Sequence, residues 1–529
     1  MSTEIEKPTR GPEAIRPVKP VAVIDVGATS IRMAIAEIGD GGSVRILETL
    51  SQAVNLGRDT FTKSAIERST IEECVRVLRS YARLLKEYGI TRADQIRAVG
   101  TSAVREANNR LAFVDRVYIA TEMQIEPIDE AEVNRITYLG IQPHLRSEPT
   151  LTAATTLVVE VGGGSTELLL IKAGDVVYSH TYRLGSLRLR KQLESFRTPA
   201  VKVRNIMESQ IARTVEQIVE SLPADVEALE MITLGGDVRF AAAELLTDWT
   251  PQSLARMSVS ALERFTDKIL TLTDDDIVQK YHLSFPAAET VGAALLAYVK
   301  IAKAMKLKTL LVTNVTLRDG LLREMAGMNA LTEEFSAQVT RSAIDLGNKF
   351  GFDEAHARHV AHLCRMLFRM LRDEHELDPR YETVLAIAAL LHEIGMFVST
   401  RSYHKHSMYL IKNSELFGLS KQDVLLVSLV ARYHRRASPQ PEHEGYDMLN
   451  REHRIAVAKM AAILRLAIAL DDSRSQRIDE LMCEIEENRL IISIPRVDDL
   501  SLEQLAIRQN SGLFEEVFGM KVLLRKVRV

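Results

Sequence analysis

Apolar residues in the first part of the chain follow two rhythms. From Val21 the text VAVIDVGATSIRMAIAEI is two β-rich apolar runs joined by a short turn of Gly27, Ala28, Thr29 and Ser30, which predicts a hairpin opening a sheet. Between Ser64 and Tyr88, the positions Ile71, Val75, Leu78, Ala82 and Leu85 recur at alternating four- and three-residue spacing. That is the period of an amphipathic helix, and Gly89 supplies its stop. IRAVGTSAVRE then reads as a strand, with a helix after it. Around Leu157 the opening text returns in altered form as LVVEVGGGSTELLLI. At a constant offset of 135 residues Asp25 falls on Glu160, Gly27 on Gly162, Ser30 on Ser165 and Arg32 on Glu167, while Val23, Ile24, Val26, Met33 and Ile35 fall on apolar partners. The pattern predicts an internal duplication, with two related domains, each opening on a hairpin with a small polar turn, facing one another across a cleft. Gly235 and Gly236, after the apolar run MITL, add a tight turn where backbone can approach a ligand.

After about Arg323 the rhythm becomes helical: VTRSAIDLGNKFGF, EAHARHVAHLCRMLFRML, VLAIAALLHEIGMFV and VLLVSLVARYHRR. From about Asp479 an alternating strand (RLIISI), a helix (LSLEQLAIRQN) and an apolar last strand (KVLLRKV) form a small α/β module. The predicted divisions are a disordered tail at 1–20, α/β domains at 21–140 and 141–323, a helical domain at 324–478 and the α/β module at 479–529.

At 529 residues the chain is long enough for several cores, and 46% hydrophobic with 26% charged residues excludes a disordered or collagen-like chain. A net charge of -4 argues against a protein that coats DNA or RNA, so any polyanion site is local. Cys74, Cys364 and Cys483 form no CxxC pair, which fits a reducing cytoplasm. The start mixes Pro with charges of both signs and lacks a signal-peptide core, and no run approaches the ~18 apolar residues of a membrane span.

Small Gly-rich turns between strands point successive N–H groups into one concavity, which suits anionic oxygens. Gly162, Gly163, Gly164 and Ser165 are the best such candidate. A plain hairpin turn is the alternative, weakened by the related turn at Gly27–Ser30. Acids flank both turns: Asp25, Glu160 and Glu167, with Glu132 in IDEAEVNRITYLG. Carboxylates of this kind hold Mg²⁺ against phosphate oxygens or deprotonate water. Asp274, Asp275 and Asp276 read instead as helix-capping acids. The absence of GxxxxGK[ST] excludes a P-loop NTPase.

IDVGATSIR, AVGTSAVREANN, IDEAEVNRITYLG, VEVGGGSTELLL, YRLGSLRL and TNVTLRDGLL together resemble the exopolyphosphatase/guanosine pentaphosphate phosphatase family. The helical part resembles the long members, whose third domain is related to the HD phosphohydrolases. The resemblance implies an α/β fold of two duplicated actin-like, ribonuclease H-like domains, followed by the α-helical HD-related domain and the small α/β module. It implies hydrolysis of the terminal phosphoanhydride of inorganic polyphosphate or, as the alternative, removal of the 5′ terminal phosphate of guanosine pentaphosphate, with Mg²⁺ or Mn²⁺ held by the cleft acids; with the cysteine use, charge and apolar runs above, the expected protein is a cytoplasmic homodimer without nucleic-acid partners or membrane insertion. Matched residue by residue, Glu132 falls on the water-activating carboxylate and Glu167 on the acid closing GGGSTE. Asp25, Glu160 and Glu167 fall on the metal side, and Thr29, Ser30, Arg32, Thr101, Ser102, Arg105, Gly163, Gly164 and Ser165 on phosphate-contacting segments.

The chain departs from the family in reading GATS for GSNS, Glu160 for Asp, and Val133 where a second Glu usually follows Glu132. In the helical domain an HD metal arrangement needs a His, a His-Asp pair and a later Asp. This chain offers His356, His392 followed by Glu393, and Asp471; because the pair reads HE, core or surface histidines are the favoured reading. Residues 401–440 carry seven Lys/Arg against two Asp/Glu. Lys405, Arg432, Arg435 and Arg436 could therefore retain a long polyphosphate, with a solvated helix face as the alternative. Two other functions share these features: an actin-like ATPase or sugar kinase, marked by ATP turnover without polyphosphate turnover, and a polyphosphate sensor that binds without releasing phosphate.

Overall fold

The computed structural model describes residues 18–526 apart from 149, 152–153, 196–199, 224–228, 248, 251–252, 328–332, 415, 436 and 498. The expected tail therefore lies almost wholly outside the described residues. The chain forms two compact units, divided at 329/330.

In the first unit, β1 (Lys19–Val26) and β2 (Ser30–Ile38) form the expected hairpin. With β3 (Val44–Ala53), β4 (Ile96–Gly100) and β5 (Ile125–Pro127) they make a sheet of order β3-β2-β1-β4-β5. The second sheet contains β6 (Thr155–Val161), β7 (Thr166–Lys172), β8 (Asp175–Tyr182), β9 (Leu229–Leu234), β10 (Ala255–Ser258) and β11 (Thr309–Val312), in the order β10-β11-β9-β6-β7-β8. Apart from β10 at its edge, the second order repeats the first: a three-stranded antiparallel meander, then strands added in parallel beside its first member. The duplication predicted from the 135-residue offset is thus a repeated topology, as the duplicated actin-like fold requires.

β1 reads as a continuous apolar run because both its faces are covered. Ala22, Ile24 and Val26 pack toward Val75, Leu78 and Leu85 of the predicted helix, which spans Arg68–Glu87, and Gly89 leaves it at φ +70°. Val21 and Val23 pack toward Val133 and Ile136 of the helix Glu130–Ser147 and toward Leu317, Leu321 and Leu322 of the helix Leu317–Met325. Both helices correct the sequence divisions. The first runs through 140/141, and the second, counted with the second half, returns to cover the first sheet. The second half is built around Phe285–Ala304, which among the described residues is the one helix long and apolar enough to cross a membrane; 72% of its apolar window is buried in this core. The sequence reading counted no such run because Glu289, Lys300 and Lys303 interrupt it. Asp274, Asp275 and Asp276 open the helix Asp274–Tyr281, where Asp276 and Thr273 cap each other.

The second unit is helical, with principal helices Glu333–Lys349, Glu354–Met370, Tyr381–Leu391, Tyr403–Lys412, Lys421–Arg432 and Arg451–Leu470. It ends in a three-stranded sheet of β12 (Met482–Glu486), β13 (Arg489–Ile494) and β14 (Lys521–Lys526). The three cysteines are free thiols.

Candidate functional site

The two hairpin turns are built alike. Gly27 N–H donates to Ser30 O at 3.0 Å, and Gly162 N–H to Ser165 O at 2.8 Å. The carbonyls of each turn are pinned by the segment that follows the meander. Ala28 O and Thr29 O accept from Gly57 and Val54, and Gly163 O accepts from Arg188 N–H at 2.9 Å. Arg188 also gives its Nε to Gly164 O at 2.7 Å and its Nη2 to Glu106 of the first half at 2.6 Å, while its guanidinium lies 4.3 Å from the Phe61 ring centroid. The turns come close enough that a Cβ on Gly163 would lie 3.0 Å from Ala28 Cβ, and one on Gly164 would strike Ser102 Oγ at 2.4 Å. Glycine is required there by the meeting of the halves.

Between the turns lies a cavity of about 260 Å³. Its lining brings together eleven of the thirteen cleft residues singled out from sequence: Asp25, Thr29, Ser30, Arg32, Thr101, Ser102, Arg105, Glu160, Gly163, Ser165 and Glu167. Gly164 sits behind the lining, at the contact with Ser102. The remaining residue is Glu132, whose neighbour Val133 lines the cavity instead. Asp129 caps the helix through Glu132 N–H, which fixes the register. One residue is a turn of about 100° around a helix, so Glu132 points toward Arg135, a turn away, and Val133 toward the cleft. Both Glu132 oxygens accept from Arg135 at 2.7 Å, and Arg135 also pairs with Glu324. The expected water-activating position therefore holds an ion pair, and the second acid usual in the family, which would have faced the cleft, is here a valine.

The cleft also gathers residues the sequence reading did not name. Asp237, beside the Gly235–Gly236 turn, lines it, and Arg239 and Arg318 bear on its acids. Gly235 has φ +116°, and the Tyr298 hydroxyl lies 2.9 Å from where its Cβ would stand. That hydroxyl accepts from Val161 N–H at 2.8 Å and donates to Leu234 O, tying together the ends of β6 and β9. The lining also includes the apolar side chains Phe240, Leu283, Ala287 and Leu317.

The electrostatics of the two hairpins differ. Across the first, Asp25 stands opposite Arg32, and Arg318 Nη1 lies 3.9 Å from its Oδ2. Burial raises Asp25, and the two arginines oppose the rise. Across the second, Glu160 stands opposite Glu167. Burial raises Glu160, against Arg239. Burial, reinforced by Glu160, pushes Glu167 up to about 7, although Ser165 Oγ donates to its Oε1 at 2.5 Å. Asp237 is pushed up to about 6 by burial. Asp25 Oδ1 is buried without a partner among the described residues. Like charges facing each other in a buried site, beside an unpaired carboxylate oxygen, are what a hard dication would relieve, so the oxygen donors Asp25, Glu160 and Glu167 fit Mg²⁺ or Mn²⁺.

In the second unit, Lys405, Arg432 and Arg435 gather around His404. Arg435 lies over the Tyr403 ring at 4.8 Å, and Lys405 and Arg435 are exposed. Among the described residues none of the three forms an ion pair with an acid. Arg436 lies outside the described residues. His356 and His392 are buried, as the core reading expects, and they come together with Glu393, while Asp471 bonds His356.

Known proteins match both units. The model of the Ppx/GppA phosphatase family matches residues 34–329, and that of Ppx/GppA phosphatase, domain III, matches 339–510. A guanosine-5'-triphosphate,3'-diphosphate pyrophosphatase of Photobacterium profundum is 22% identical over 515 residues, covering 93% of this chain and 97% of its own length. One of Aeromonas hydrophila is 23% identical over 482 residues, covering 90% and 92%. An exopolyphosphatase structure from Cytophaga hutchinsonii superimposes with a TM-score of 0.51 at 20% identity, over 59% of this chain and 98% of that one.

Proposed function

The chain belongs to the Ppx/GppA phosphatase family, and from that premise we propose that it hydrolyses the terminal phosphoanhydride of inorganic polyphosphate, releasing orthophosphate. The observation that carries this reading is the pair of pinned turns converging on one cleft lined by Arg32 and Arg105. A chain of phosphates needs several anion-binding positions in a row. Two cradles set side by side supply backbone N–H groups and the hydroxyls of Thr29, Ser30, Thr101, Ser102 and Ser165. Arg32, Arg105 and Arg318 offset charge on the phosphate oxygens. Glu167, which lines the cleft opposite Glu160, is the carboxylate proposed to take the proton of an attacking water. Asp25 and Glu160, with Glu167, would hold Mg²⁺ or Mn²⁺, which when bound supplies positive charge against the transferring phosphate. Most of the rate then comes from positioning and from charge already in place.

A second reading, release of the 5′ terminal phosphate from guanosine pentaphosphate, is favoured by the apolar lining residues Phe240, Leu283, Ala287 and Leu317, which suit a nucleoside better than further phosphates. Orthophosphate release from the two substrates at equal concentration with Mg²⁺ decides between them, and release from neither refutes both. For long chains, the patch at Lys405, Arg432 and Arg435 is proposed to retain the polyanion. Lys405→Glu with Arg435→Glu should then weaken long-chain binding and flatten its salt dependence while leaving short-chain turnover unchanged. Equal loss on both lengths would remove that role.

A further inference from the structure

The second unit holds a cluster that the cleft chemistry does not use. His356 belongs to the helix Glu354–Met370, and His392 and Glu393 follow the helix Tyr381–Leu391. One ligating atom from each lies within 4.8 Å of the other two. His356 and His392 are 2% and 1% exposed.

Both rings are fixed through Nδ1. A carbonyl oxygen can only accept, so the 2.6 Å bond to Ala389 O puts the proton of His392 on Nδ1 and leaves the lone pair on Nε2. That Nε2 is buried with no partner among the described residues. His356 Nδ1 meets Asp471 Oδ2 at 2.8 Å. Asp471 also accepts from Gln476 N–H at 2.9 Å and from its side-chain amide at 3.3 Å, so it is an acceptor to all three, and the His356 proton too is on Nδ1. A buried acceptor left unpaired costs stability, and packing alone gives no reason to aim one at a second imidazole and a carboxylate. A ring held by an oxygen at Nδ1 and bare at Nε2 is the form a metal-ligating histidine takes.

We infer that His356 Nε2, His392 Nε2 and the Glu393 carboxylate bind one divalent transition-metal ion, with Asp471 as a positioning residue that orients His356. Two imidazoles and a carboxylate select Zn²⁺, Co²⁺, Mn²⁺ or Fe²⁺ over Mg²⁺, which separates this site from the all-oxygen donors of the cleft. Arg474 is the competitor. Its Nη2 contacts both Glu393 oxygens, at 2.7 and 2.8 Å, and its Nη1 holds Asp353 at 3.0 Å. A metal shares Glu393 with Arg474 or displaces it.

The test uses the untagged full chain, stripped by chelator and equilibrated with Co²⁺ or Zn²⁺ in a large excess of Mg²⁺ to occupy the cleft. Elemental analysis should find one transition metal per chain, and the Co²⁺ form should show visible d–d bands of a nitrogen-containing site. His392→Ala should abolish uptake. Because that change could disturb packing, Glu393→Gln is the second variant and should weaken binding at least tenfold with the circular dichroism spectrum unchanged. Asp471→Asn should weaken it about 10- to 100-fold, and Arg474→Ala should strengthen it. No uptake by the native chain, or uptake unaffected by both His392→Ala and Glu393→Gln, overturns the inference.

Discussion

The two hairpins of the first unit share a fold and a turn but carry opposite electrostatics. In the first, an acid faces a base: Asp25 across from Arg32. In the second, an acid faces an acid: Glu160 across from Glu167. Directly opposed like charges in a sheet are destabilising, and burial magnifies the cost. The second hairpin is therefore strained in charge when alone and relieved when something positive arrives, whereas the first is already balanced. The repeated topology gives two like turns, and the two hairpins differ at one position of each pair, Arg32 against Glu167; on the proposed function the first would be a binding half and the second a reactive half.

The largest effect should come from removing the reactive acid. Glu167→Gln should lower turnover by ~10²-fold or more while substrate still binds. Full activity in the Gln variant would reverse the assignment. Next, Arg32→Gln should act on binding, raising KM roughly tenfold or more, as expected for loss of a charge-assisted hydrogen bond worth ~1.5–3 kcal/mol, with kcat less affected. Equal kinetic signatures for the two variants would erase the distinction between the halves.

Smaller effects sharpen it. Glu132→Gln should destabilise the fold by ~1–3 kcal/mol, because the nearly buried Arg135 loses one of its two acidic partners, and should leave kcat within a few-fold; a collapse of kcat at unchanged stability would restore Glu132 to the chemistry. The smallest effect concerns Mg²⁺ and pH. Glu160 and Glu167 have raised proton affinities when folded. Between the ordinary Glu value of about 4.3 and about 7, the folded chain thus holds protons that the unfolded chain has lost, so without divalent cations stability declines as pH rises through that window. Mg²⁺ should then raise the melting temperature by more at pH 8 than at pH 5. An equal rise at both pH values would show that the acid pair is not what the cation relieves.

Much of this arrangement is legible in the sequence because it rests on local signals. The turns are written in Gly, Ser and Thr between apolar strands, and their kinship in a constant offset. What escapes is register and distance. Whether Glu132 or Val133 faces the cleft depends on where the helix starts, which Asp129 decides, and one residue changes the answer. Asp237, Arg239 and Arg318 reach the cleft only because β9 lies beside β6 and because the helix Leu317–Met325 returns to the first sheet. In the second unit, HE in place of HD argues against a metal, yet the longer acid still reaches His356 and His392. β12 is only five residues long and largely exposed, so its alternation of Cys483 and Ile485 with glutamates gives too weak a signal to mark a strand.

The return of the helix Leu317–Met325 also has a consequence for synthesis on the ribosome. The first five strands are complete by Pro127, but one face of their sheet waits for Leu317, Leu321 and Leu322. Translation proceeds at ~5–20 residues per second, so the nearly two hundred intervening residues take on the order of ten to forty seconds. Throughout that interval Val21, Val23, Ala34 and Ala36 lack part of their cover. A nascent chain halted just before Leu317 should bind a holding chaperone that a chain halted well past Met325 releases. The order in which the polypeptide emerges thus leaves this apolar face open until the helix Leu317–Met325 has been made.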